Sequence, residues 1–111
     1  MLYMLLVYDD PEAWDVSEDD MPAIYAEYRA VTEHSATKHS AQLQPVDTAK
    51  TVRVQNGSTL VTDGPFAETK ERLGGYYLVE AESIEAAAKI AEKIPSARLG
   101  GSIEVRPVVE M

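Results

Sequence analysis

The sequence predicts an α+β sandwich with two helices on one face of a mainly antiparallel sheet. Three observations carry that expectation. Apolar runs and turn signals follow the order strand, helix, hairpin, strand, helix, strand, which suits helices gathered on one side of a sheet. Asn56-Gly57 sits between two runs rich in Val and Thr, and this pair readily takes the positive φ angles of a two-residue hairpin turn. Leu2 to Tyr8 is apolar at every position, where a strand with one wet face would alternate.

Along the chain, Leu2–Tyr8 reads as the first strand, ended by Asp9-Asp10-Pro11, since proline cannot donate to a ladder and paired acids favour a turn. An acidic loop carrying Trp14 follows. Ser17, Asp19 and Asp20 each suit the N-cap of a helix running toward His34, with Pro22 tolerated in its first turn. Ile24, Tyr28 and Val31 recur at helical spacing and form its inner stripe. The polar stretch from Ser35 to Lys50 reads as a connection with a short strand near Leu43. Thr51–Gln55 and Ser58–Thr62 form the hairpin, with Val54 opposite Thr59, Val52 opposite Val61 and Arg53 opposite Leu60, so that one face joins the core.

Asp63-Gly64-Pro65-Phe66 breaks the second hairpin strand, and the charged segment from Ala67 to Leu73 reads as a loop closed by Gly74-Gly75. Tyr76–Glu80 is the next strand. Ser83 caps a second helix with Ile84, Ala87, Ala88, Ala91 and Ile94 on one stripe, ended by Pro95 and Gly100-Gly101. Ser102–Val109 is a last strand in which Pro107 implies an edge or a bulge. This order describes a ferredoxin-like split βαβ sandwich with an added hairpin strand. Two helices cover one face only, so a second copy of the chain, sheet against sheet, is expected to bury the other.

The chain has 111 residues, a length that fits one domain spanning 1–111 with a self-contained core. Its formal net charge of −9 and lack of any Lys/Arg cluster argue against direct nucleic-acid binding. With no cysteine there are no disulfides and no thiolate zinc ligands, and His34 and His39 are five residues apart, off the helical metal-binding spacing. No metal or other cofactor is expected, and both histidines read as surface residues. The longest apolar run is far shorter than the ~20 residues of a membrane span, and no basic start or cleavage pattern marks a leader. A soluble, cytoplasmic protein is expected.

Asp63 stands out as a carboxylate at a strand end beside Gly-Pro, where a rigid loop could fix it near a ligand; it could equally organise the turn alone. Trp14 could lid a pocket at the end of the first strand or pack on the neighbouring helix.

Thr62-Asp63-Gly64-Pro65-Phe66-Ala67-Glu68-Thr69-Lys70-Glu71, followed by Gly74-Gly75-Tyr76-Tyr77 and by Gly101-Ser102-Ile103-Glu104-Val105-Arg106-Pro107, closely resembles the DGPF branch of the YCII-related family. The resemblance extends to Met4-Leu5-Leu6-Val7-Tyr8, Leu43-Gln44-Pro45 and Val52-Arg53-Val54. It implies a small bacterial protein built as a dimeric α+β barrel from ferredoxin-like chains. Related barrels include lactone isomerases and a dehydrochlorinase, and DGPF members are discussed beside extracytoplasmic-function sigma factors. The histidine–aspartate pair of YCII relatives does not carry over: the first helix begins without His, and Ile94 stands before Pro95.

Two functions follow as expectations. In the first, a dimer-interface pocket near Asp63 binds a small molecule and supports cofactor-independent proton transfer, such as isomerisation or elimination. Asp63 is the catalytic candidate, Tyr8 or Tyr76 its hydroxyl partner, Arg72 or Arg106 the anchor for an anionic substrate, and Gly64, Pro65 and Phe66 the loop around it. In the second, the chain is a non-catalytic binding or regulatory module that meets a sigma factor through its acidic surface.

Overall fold

The computed structural model describes residues 1–65 and 71–110. Its strands are β1 (Leu2–Asp9), β2 (Thr37–Gln42), β3 (Lys50–Gln55), β4 (Ser58–Asp63), β5 (Arg72–Glu80) and β6 (Ser102–Pro107). Its helices are α1 (Met21–Thr32) and α2 (Ile84–Ala91). Four strands form an antiparallel sheet in the order β2-β5-β1-β6, the ferredoxin-like arrangement, while β3 and β4 form a separate two-stranded sheet. The helices share one face, α1 over the β2 side and α2 over the β6 side.

Alternation along β1 sorts its side chains. Tyr3, Leu5 and Val7 are buried against the helices, and Leu2, Met4, Leu6 and Tyr8 lie half-buried on the opposite face. Val79 and Tyr77 of β5 join the first set, with Val31 from α1 and Ala87, Ile90, Ala91 and Ile94 from α2 and its exit. The inner stripe of α2 therefore runs through Ile90, while Ile84 and Ala88 remain exposed. Ser83 Oγ caps α2 by accepting from the Ala86 N–H at 3.1 Å. Pro22 lies in the first turn of α1, where no intrahelical donor is lost.

Two expectations about the main sheet need correction. The strand near Leu43 lies earlier, at Thr37–Gln42, and completes the main sheet; its polar composition hid it because it is an edge strand. Gly74-Gly75 does not close a loop but lies within β5, which starts at Arg72. A side chain at Gly75 would place its Cβ 2.7 Å from the Ala41 carbonyl oxygen, so glycine is what permits β2 to approach there.

The hairpin has the expected register and turn, with Asn56 at φ 50° and Gly57 at φ 77°. Its packing differs from expectation. Neither face joins the core: Val52, Val54 and Val61 share one face and are 61%, 69% and 56% exposed. The arm stands clear of the sandwich, and the radius of gyration is 15.9 Å against about 13 Å for a compact chain of this length.

Candidate functional site

Position nine continues the inward phase of Tyr3, Leu5 and Val7, so β1 delivers Asp9 to the helix-facing side of the sheet at the end of the core. Beside it β5 carries a bulge: Val7 pairs with Gly75 and Tyr8 with Leu73, leaving Gly74 as the extra residue. Bulges of this kind redirect neighbouring side chains. Here the Asp9 carboxylate occupies the space beside Gly74, with Oδ2 2.5 Å from where a Cβ would stand. A glycine is the residue that admits it.

A cavity of about 370 Å³ lies between α1 and the β2–β5 side of the sheet, with Asp9 and Trp14 in its wall. Tyr25, Tyr28 and Tyr77 supply further aromatic surface, and Arg29, exposed on α1, is the one cation among its described lining residues. The size suits a small organic ligand. A second, more open cavity adjoins it through Asp9, Gln42 and Gly74 and reaches Arg72.

Two side-chain atoms here are closed to solvent and have no hydrogen-bond partner among the described residues: Asp9 Oδ1, an acceptor, and Trp14 Nε1, a donor. Each such group costs about 1–3 kcal/mol, more when charged, so their occurrence in one cavity wall calls for a functional reason. The tyrosine hydroxyls are committed. Tyr28 Oη shares a 2.6 Å hydrogen bond with Ser96 Oγ, and Tyr77 Oη donates to the Tyr28 carbonyl at 3.3 Å. Burial pushes both phenols above their ordinary range, with the Ser96 contact acting in the opposite sense on Tyr28.

The residues singled out from sequence fall in three places. Asp63 ends β4 at the hairpin base, where its carboxylate is 88% exposed and 2.5 Å from Lys50 Nζ. The buried carboxylate expected there is absent because the hairpin stands in solvent. Gly64, at φ 93°, donates its N–H to the Ala49 carbonyl and accepts from Thr51 Oγ1, both at 2.8 Å, and Pro65 follows exposed. Phe66, Glu68 and Lys70 lie outside the described residues.

Tyr8 and Arg106 belong to the sheet face away from the helices, while Tyr76, in phase with that face, also borders the helix-side cavity. Tyr76 stacks on His39, with ring centroids 5.7 Å apart, and its hydroxyl is 2.9 Å from His39 Nδ1. Arg106 is held by Glu104 of the same strand. Arg72 lies opposite Asp9 in the β1–β5 register. Asp63 thus stands apart from the helix-side cavity, while Arg72 borders its neighbour.

Asp9 was legible only as a turn former in the sequence. Its in-phase position after Tyr3, Leu5 and Val7 was the signal that could have placed it inside. Among the described residues no three His, Cys, Asp or Glu side chains gather as metal ligands, and no helix is long and apolar enough to cross a membrane.

The model of the YCII-related domain matches residues 1–111. An uncharacterised protein of Rhizobium meliloti is 40% identical over 114 residues, covering 97% of this chain and 92% of the relative. Among solved structures, 5-chloro-2-hydroxyhydroquinone dehydrochlorinase from Burkholderia phenoliruptrix, in complex with 2,5-dihydroxybenzoquinone, aligns with a TM-score of 0.54 at 18% identity. That alignment covers 100% of this chain and 96% of the other, and it shows a shared fold.

Proposed function

This chain belongs to the YCII-related family, and we propose that it binds a small organic molecule in the cavity between α1 and the sheet, where Asp9 serves as proton acceptor. The observation that carries this reading is the Asp9 carboxylate, buried at Oδ1 without a partner in the wall of a ligand-sized cavity. In the reaction, Asp9 takes a proton from the bound molecule as the bond to that hydrogen breaks. The electron pair left behind either expels a leaving group, an elimination, or is reprotonated elsewhere, an isomerisation. Trp14, Tyr28 and Tyr77 exclude water and strengthen the electrostatic interactions within. The dehydrochlorinase with this fold acts on a substituted hydroquinone, an example of chemistry such a scaffold can host.

The test is a thermal-shift screen against phenols, lactones and small organic acids, followed by turnover assays on the hits. Binding at a hundredfold over Kd adds about 2.7 kcal/mol, enough to move the midpoint by several degrees. Asp9→Asn is expected to abolish turnover while Asp63→Asn retains it. Full turnover by Asp9→Asn would overturn the assignment of the proton acceptor.

Assembly with a second copy is part of the same proposal. Its support is the face away from the helices, where Leu2, Met4, Leu6 and Leu78 form a half-buried apolar strip that no helix among the described residues covers. The hairpin offers a second exposed apolar face, Val52, Val54 and Val61. Light scattering should give twice the chain mass for the wild type and the chain mass for a folded Leu6→Glu variant; a monomeric wild type would refute the dimer.

A further inference from the structure

Met21, Tyr25, Tyr28, Arg29 and Thr32 line the helix-side cavity, and they recur at the three- and four-residue spacing of one helix face. Ile24 and Val31, the buried residues of α1, lie to one side of that stripe. At 3.6 residues per turn Arg29 falls on the opposite side, at the cavity's rim, in keeping with its exposure. Every other arginine has a partner among the described residues: Arg98 pairs with Glu27, Arg106 with Glu104, and Arg53 and Arg72 are engaged as well. Arg29 has none there, although Asp and Glu outnumber Lys and Arg by 19 to 10. We infer that Arg29 anchors the ligand through a carboxylate, so that the cavity takes a small aromatic acid. This inference rests on the reading of the cavity as the ligand site and names the class of compound it takes.

A guanidinium presents its N–H groups as a planar fork that fits the two oxygens of a carboxylate, and it keeps its charge at any working pH. Other ligand groups use Arg29 less well. An ammonium would meet it as a like charge, and an uncharged group gains little from it. A phosphate carries a second negative charge into a cavity whose wall already holds the Asp9 carboxylate and whose described lining has one cation. The ring follows from the walls: Trp14, Tyr25, Tyr28 and Tyr77 offer aromatic surface, and the hydroxyls of Tyr28 and Tyr77 are already engaged. Stacked or edge-on contacts with a flat ligand use that surface best. With its carboxylate at the rim and its ring inward, such an acid keeps its charge where desolvation costs least.

Trp14 is the sole tryptophan and lines the cavity, so its fluorescence places a binding event there. The experiment titrates the full-length protein with four probes, benzoate, benzamide, phenyl phosphate and benzylamine, with affinities read by calorimetry. Benzoate is expected to bind about fivefold or more tighter than benzamide, its uncharged isostere, the difference a charge-assisted contact at an exposed rim makes. Raising the salt concentration should narrow that margin. Arg29→Gln should erase it by weakening benzoate and leaving benzamide unchanged, while Arg29→Lys, which keeps the charge without the fork, should retain part of it. An exposed side chain of this kind is replaced with little effect on the fold, and equal melting midpoints of the free proteins check that. Benzamide, phenyl phosphate or benzylamine matching benzoate, or Arg29→Gln binding benzoate as the wild type does, would overturn the carboxylate inference and leave the cavity reading standing. If no probe binds or changes the Trp14 fluorescence, the cavity reading fails with it.

Discussion

Asp9 and Gly74 fit together across β1 and β5: the carboxylate Oδ2 lies 2.5 Å from the place a side chain at 74 would begin. The bulge at Gly74 and the inward phase of β1 act jointly, so a charged group is held at the edge of an apolar core instead of turning to solvent. Adjacent glycines do different work here. Gly74 admits a carboxylate, and Gly75 admits a neighbouring strand.

Gly74→Ala and Gly75→Ala should therefore separate binding from folding. At 74 the obstacle is a side chain, which can swing away, so the fold should survive while ligand stabilisation in thermal shift is lost. At 75 the obstacle is the Ala41 carbonyl, and backbone cannot yield without parting β2 from β5. A cost of about 1–3 kcal/mol is expected, measurable by urea denaturation.

Ser96→Ala should lower the midpoint by several degrees. Ser96 is fully buried and joined to Tyr28 at 2.6 Å, tying α1 to the turn after α2. Losing the bond costs about 1 kcal/mol, which is about 4–8 °C for a domain of this size. An unchanged melting curve would show that the contact contributes nothing.

Alkaline pH should unfold the protein through Tyr28 and Tyr77. Both phenols are raised by burial above the ordinary value of 10.0, so the folded state binds their protons more tightly than the unfolded chain. That contribution is complete below about pH 10 and disappears as pH rises through the folded values. Denaturation midpoints from pH 8 to 12, with tyrosinate absorbance followed in parallel, check the sign. Rising stability across that range would contradict it.

Asp63→Asn should change stability by less than about 1 kcal/mol, because its partner Lys50 and the carboxylate itself are both exposed. The variant should also bind the helix-side ligand as the wild type does. A lost ligand response would return attention to the hairpin base.

Leu5→Ala should cost about 2–5 kcal/mol, the usual range for emptying a fully buried leucine site. Leu6→Ala, one position along and on the other face, should cost less in the isolated chain. Parallel urea titrations at low protein concentration compare them.

Much of the architecture was legible because it depends on near neighbours. The hairpin register follows from Asn56-Gly57 and the start of α2 from Ser83, while the unbroken apolar run of β1 showed that both its faces are covered without showing which set meets the helices. Thr37–Gln42 was not legible as a strand, since an edge strand with exposed polar side chains carries little apolar signal. The site was harder still. Asp9 beside Asp10-Pro11 has the chemistry of a turn former, and nothing local distinguishes an aspartate that ends a strand in water from one that ends it inside a cavity.

By itself the sequence determined the first strand, both helices, the hairpin and its turn, the family and the acidic composition, since these depend on residues a few positions apart or on composition. The tertiary structure alone decided that the hairpin stands free, that Asp63 is paired in solvent, and that Asp9 and Trp14 share one wall beneath α1. Burial and the lack of a partner depend on residues distant in the chain, and they become defined only when β5, with its bulge, is laid against β1.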